Sequence, residues 1–178
     1  MIGTVTGARA VIAATVLILG VSACSSDDPE PIVAPTPSAS EPSDPTTSPV
    51  AGALGPEETL AAWIDARNQA LQDGDVSAVE ALSAESCKTC RDSIAPIKQV
   101  YGDGGHFDTD GWVLVSSRLK SEKASKASLT AAIDYAAGKT VVKAGAEPVT
   151  YAVEHHIIIV DLIKEDGVWL VQFIGYLS

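Results

Sequence analysis

Basic side chains are scarce in this chain: Lys and Arg total 12 against 23 Asp and Glu, a formal net charge of −11. A nucleic-acid partner needs a basic patch or stripe to meet the phosphates, and none is present, so that class is excluded. Anionic lipid headgroups would also repel so acidic a domain. The apolar run Ala10–Val21 is about a dozen residues, short of the roughly 20 that span a bilayer. Cysteine is limited to Cys24, Cys87 and Cys90. That is one close pair, where a structural zinc site usually wants two. No internal repeat is visible.

What is present begins at the N-terminus. Arg9 is the only charged side chain before Asp27, and the apolar run after it closes on Val21-Ser22-Ala23-Cys24. A basic start, a short apolar core and a small-residue cleavage site describe a secretory signal. A cysteine at the cleavage point is the pattern of a bacterial lipoprotein. The expectation is a signal peptide over 1–23 and acylation of Cys24, with the protein lipid-anchored at the outer, extracytoplasmic face of the cell membrane. A plain secretory signal with an incidental cysteine and a transmembrane anchor are the alternatives. Each buried methylene contributes about 0.8 kcal/mol, so two or three acyl chains would hold the protein tightly.

Residues 24–55 follow as a linker, with seven of the ten prolines set among Ser, Thr, Ala and Asp. Such a segment buries too little apolar surface to offset its ordering entropy. It is expected to be an extended, disordered tether reaching at most roughly 90–100 Å. About 120 residues remain, 56–178, enough for one domain with its own core.

The first third of that domain reads as helical. Pro56-Glu57-Glu58 suits a first turn. Leu60, Trp63, Ile64, Arg67 and Leu71 recur at helical spacing, and Asp73-Gly74 ends the helix. Arg67 lies on this apolar face and must either snorkel or meet a buried acid. Asp75 can cap a short second helix carrying Val76, Val79 and Leu82. Ser86 can cap a third, with Cys87, Cys90, Ile94, Ile97 and Tyr101 on one face and Pro96 kinking or restarting it.

The remainder reads as strands. Asp110-Gly111 predicts a hairpin joining His106–Thr109 to Trp112–Lys120, and Ser121–Ser125 a polar connection to a strand near 126–136. Lys120, Lys123 and Lys126 around it read as a solvated turn. Gly138–Pro148 reads as a loop with a short extended piece at 140–143. Asp166-Gly167 predicts a long final hairpin of 149–163 with 168–177. Regular pairing from that turn sets Val160 opposite Phe173 and Asp161 opposite Gln172. One face then carries Ile158, Val160, Leu162, Trp169, Val171 and Phe173. The other carries Ile157, Ile159, Ile163, Leu170, Ile174 and Tyr176. Two apolar faces are unusual for an antiparallel sheet with one wet side. The second is expected to be covered within the domain or to meet another chain, as a homodimer or a protein partner. Helices followed by a curved antiparallel sheet give an α+β fold.

Trp63, Asn68, Ala70, Gly74-Asp75, Leu82-Ser83, Cys87-Lys88-Thr89-Cys90-Arg91, Tyr101 and Gly104-Gly105 resemble, in this order, a family of uncharacterised actinobacterial lipoproteins. That is a domain of unknown function whose sharpest motif is C-K-T-C-R. The family resembles the nuclear-transport-factor-2-like superfamily of cone-shaped α+β folds, which includes ketosteroid isomerase and the polyketide cyclases. The resemblance covers the whole domain, most specifically residues 60–112. It implies three helices on a curved sheet and carries over no catalytic residue, because fold alone does not license one. Arg67 stands where an apolar residue is expected.

Three readings of Cys87-x-x-Cys90 stay open. A structural disulfide suits an exported protein. A redox site would exploit a helix N-terminus, although no βαβ pattern precedes it. A zinc site would need His106, His155 or His156. His155 and His156 are adjacent on a strand and point to opposite faces. His156 with Asp134 and Tyr135, in a cone cavity, is the candidate catalytic constellation for isomerase- or cyclase-like acid–base chemistry. The leading expectation is a non-enzymatic binding or interaction module, with a small apolar ligand in the cone as one outcome. No cofactor and no metal are expected.

Overall fold

The computed structural model describes residues 54–177. The signal peptide, Cys24 and the linker up to residue 53 lie outside the described residues. The elements in order are α1 (Pro56–Asp73), α2 (Ser77–Ala81), α3 (Lys88–Gly102), β1 (His106–Thr109), β2 (Trp112–Lys123), β3 (Lys126–Tyr135), β4 (Gly138–Val141), β5 (Val149–Tyr151), β6 (Glu154–Glu165) and β7 (Val168–Tyr176). The fold is α+β, with helices packed on antiparallel sheets. Among the described residues, no helix is long and apolar enough to cross a membrane.

The helices form largely as their patterns predict. Pro56 opens α1, and Gly74 closes it at φ 80 with its N–H on the Ala70 carbonyl. The Tyr101 ring lies so close to Gly74 that a Cβ there would fall 2.6 Å from it. Leu60, Trp63, Ile64 and Leu71 are buried. Asp75 accepts the Ser77 amide and hydroxyl at the start of α2. The cap of α3 is Cys87 rather than Ser86: its Sγ accepts the Cys90 amide at 3.1 Å. Pro96 neither ends nor restarts α3, which runs continuously through it. Pro96 lies on the exposed side, where water can satisfy the carbonyl it strands.

The strands divide into two sheets, with orders β1-β4-β5 and β2-β3-β6-β7. This corrects the expectation of a hairpin at Asp110-Gly111. β1 pairs with β4, not with β2, and Gly111 (φ 80) carries the chain from one sheet to the other. β2 continues through Ser121 to Lys123, so the β2–β3 turn is Ala124-Ser125 and the longer polar connection does not exist. The piece expected at 140–143 is β4, starting at Gly138. The long strand expected over 149–163 is broken at Ala152-Val153: β5 belongs to the small sheet and β6 to the large one.

The β6–β7 turn is as predicted. Asp166 (φ 49) and Gly167 (φ 86) both take positive φ, the requirement of a type I′ turn. Regular pairing holds from Glu165–Val168 to Leu162–Val171, and a bulge at Gln172 then shifts the register. Asp161 faces Phe173, and Val160 faces Ile174. Ile174 and Tyr176 therefore share the face of Ile158, Val160 and Leu162, while Phe173 turns outward. The expected face assignment of these three residues is thus reversed. The core fills the space between α1–α3 and this inner face.

Candidate functional site

One end of α1 is fastened to the start of β2 by a single side chain. Asn68 Nδ2 donates to the Trp112 carbonyl at 2.7 Å, and the Trp112 N–H donates to Asn68 Oδ1 at 2.9 Å. The amide thus stands in for a neighbouring strand. It fixes the Trp112 ring one position along α1 from Arg67.

Arg67 does not snorkel, and among the described residues it meets no acid. Its Cζ lies 4.2 Å from the centroid of the Trp112 ring. Nε and Nη1 are buried with no hydrogen-bond partner among the described residues. Burial lowers its pKa from the ordinary arginine value, partly opposed by the phenols of Tyr135, Tyr176 and Tyr151.

The aromatic cluster extends from there. Tyr135 stacks on Trp112 with centroids 5.1 Å apart. His156 lies 4.5 Å from Tyr135 and 5.5 Å from Tyr176, ring to ring. The Tyr135 and Tyr176 hydroxyls are hydrogen-bonded to each other. Burial first, and then that bond, push the Tyr135 phenol well above its ordinary value, so it stays a neutral donor. A cleft of about 370 Å³ lies between α3 and the end of β7, lined by Thr89, Asp92, Ser93, Trp112, Ile174 and Tyr176.

The predicted constellation is split by the sheet. Tyr135 and His156 meet on the inner face. Asp134 does not join them: it lies outside, opposite His155, whose Nδ1 is 2.6 Å from Asp134 Oδ1. Successive residues of a strand point to opposite faces, so one strand cannot present both Asp134 and Tyr135 to one cavity. His156 pairs instead with Glu154, at 3.1 Å. Trp112 and Tyr176 are the cluster members that sequence reasoning missed. Tyr176 comes inside only through the bulge, and polar Gln172 within an apolar strand is the one local signal of it.

The cysteines form a disulfide, with Cα atoms 5.3 Å apart and both residues 0% exposed. The other residues of the C-K-T-C-R run dock or pair the start of α3. Thr89 Oγ1 accepts the Ile174 amide at 2.9 Å, Arg91 donates to the Glu85 carbonyl, and Lys88 pairs with Asp92. With both sulfurs bonded to each other, the zinc reading loses its ligands. Among the described residues, no group of three His, Cys, Asp or Glu is placed to hold a metal ion.

Several solved structures are similar at the level of fold. The intermembrane space region of the chloroplast protein ARC6 is 12% identical with a TM-score of 0.54, over 68% of this chain and 93% of that one. An NTF-2 like protein of unknown function from Shewanella oneidensis MR-1 is 12% identical with a TM-score of 0.46, over 70% of this chain and 100% of that one. A protein of unknown function with a cystatin-like fold from Nostoc punctiforme is 11% identical with a TM-score of 0.40, over 67% and 85%. No curated protein sequence matches. Residues 37–172 match a family of unknown function, DUF6318, and with most of its length inside that match this chain belongs to that family.

Proposed function

We propose that this protein is a surface lipoprotein whose folded domain is a non-enzymatic binding module. Acylated Cys24 holds it to the outer face of the membrane, and the proline-rich segment lifts the domain away. The domain takes a small, flat, largely apolar ligand into the cleft beside Trp112 and Tyr176. The observation that carries the reading is that cleft: about 370 Å³, lined by Trp112, Ile174 and Tyr176 together with the polar Thr89, Asp92 and Ser93, in the size range of small-molecule sites. The separation of Asp134 from His156 favours binding over isomerase- or cyclase-like catalysis, because the acid–base pair that chemistry requires is on two faces.

Titrating the purified full chain with naphthamide, a neutral flat probe, tests the cleft. Tyr176 is exposed at the strand end, and Tyr176→Ala should weaken binding roughly tenfold or more, the loss of one aromatic contact. Unchanged affinity in that variant removes the cleft from consideration. Radiolabelled palmitate should follow the wild-type product and not Cys24→Ala; equal labelling of both defeats the anchor.

The outer sheet face supports a second, protein-binding role. Val113, Val115, Ile157 and Phe173 are exposed there, the last two at 43% and 41%. Exposed apolar side chains on a sheet face support an interface, and a second copy of the chain is the proposed occupant. Sedimentation that finds only monomer at high micromolar concentration eliminates it.

A further inference from the structure

We propose that the β2–β3 hairpin end of the large sheet carries a second site, for a compact phosphate monoester bearing a free hydroxyl, and that Lys123 and Lys126 hold its phosphate. The site shares no lining residue with the cleft beside Trp112 and does not depend on it. A cavity of about 300 Å³ opens there, with Ser121, Lys123, Lys126, Ser128, Asp161 and Gln172 among its lining residues. The sequence pattern alone reads these lysines as a solvated turn. The fold sets Lys123 directly opposite Lys126, and Ser121 directly opposite Ser128 on the same face. Asp161 continues the serine row on β6. Two β-bulges flank that row, at Lys120 in β2 and at Gln172 in β7. Bulges gather beside functional sites because the extra residue re-aims a side chain. Here the extra residue of β7, Gln172, joins the cavity wall.

The wall chemistry defines the ligand. Like charges directly opposite one another in a ladder repel, and an anion held between them turns that repulsion into attraction. The chain is strongly acidic, so its long-range field does not draw an anion in. Exposed charges more than about 8 Å away are screened at physiological ionic strength, so the lysine pair governs the cavity. Two ammonium groups match the roughly −1.5 to −2 charge of a phosphate monoester better than the single charge of a carboxylate. Each lysine offers three donors, and each serine hydroxyl adds one. Asp161 repels a second anionic group and accepts a hydrogen bond, so the part of the ligand set against it is a hydroxyl. The volume is at the lower end of small-molecule sites, which calls for a compact ligand.

The test is calorimetry on the purified full chain with glycerol 3-phosphate, propyl phosphate and inorganic phosphate. Wild type should bind glycerol 3-phosphate most tightly, roughly fivefold better than propyl phosphate, the value of one hydrogen bond to the hydroxyl. Asp161→Ala should erase that difference. Lys123→Gln and Lys126→Gln should each weaken the ester roughly fivefold, the upper value of an exposed ion pair. Lys98→Gln, which removes a charge between α2 and α3, should leave the affinity unchanged. Salt should weaken the wild-type complex, a readout that needs no variant. Vesicles containing phosphatidate separate a lipid headgroup from a free ester: binding to them without binding to glycerol 3-phosphate overturns the proposal. So do a loss that Lys98→Gln reproduces, inorganic phosphate binding as tightly as the ester, and no heat from any probe at millimolar concentration. None of these outcomes bears on the cleft beside Trp112.

Discussion

Replacing Arg67 by methionine should stabilise the domain. Methionine retains an unbranched stem of similar reach and tolerates an irregular apolar site. The substitution removes two buried donors that make no bond among the described residues, each costing about 1–3 kcal/mol. It forfeits a cation–π contact with Trp112 worth about 2 kcal/mol. The balance favours the variant by about 2 kcal/mol at the middle of those ranges. With a urea dependence of about 2 kcal/mol per molar for a domain of this size, the midpoint should rise by roughly 1 M at unchanged slope. Arg67→Ala is the wrong probe, because its cavity would mask the gain. Urea unfolding followed by circular dichroism measures the shift. A midpoint that falls by a similar amount would mean that the guanidinium holds the fold together and would refute this prediction.

Two further outcomes follow from the same contacts. Asn68→Ala removes both bonds to the Trp112 backbone and should cost about 2–4 kcal/mol, read as a lower urea midpoint; a loss below ~0.5 kcal/mol would show that α1 and β2 are held by packing alone. The Cys87–Cys90 disulfide, inaccessible to solvent, should survive glutathione in the native state, and Cys90→Ser should cost about 2 kcal/mol for so short a loop; rapid reduction of the folded protein would restore the redox reading.

The order of the helices and of the strands other than β5, the ends of α1 and the type I′ turn at Asp166-Gly167 were legible in the chain because each is decided locally. Periodicity places a residue on a face of its own element, a positive-φ pair bends the backbone, and a proline opens a helix. The cysteine pair was legible for the same reason, with its partner only three residues away. The site was legible in part: Arg67 as an anomaly, and Tyr135 and His156 as candidates, whereas Trp112, Tyr176 and the exclusion of Asp134 were not. Tertiary structure alone decided those. The bulge at Gln172 brings Ile174 and Tyr176 inside and turns Phe173 out, and β1 leaves its sequence neighbour to pair with β4. A strand's faces exchange with every one-residue slip, so register belongs to the packed sheet and not to the strand.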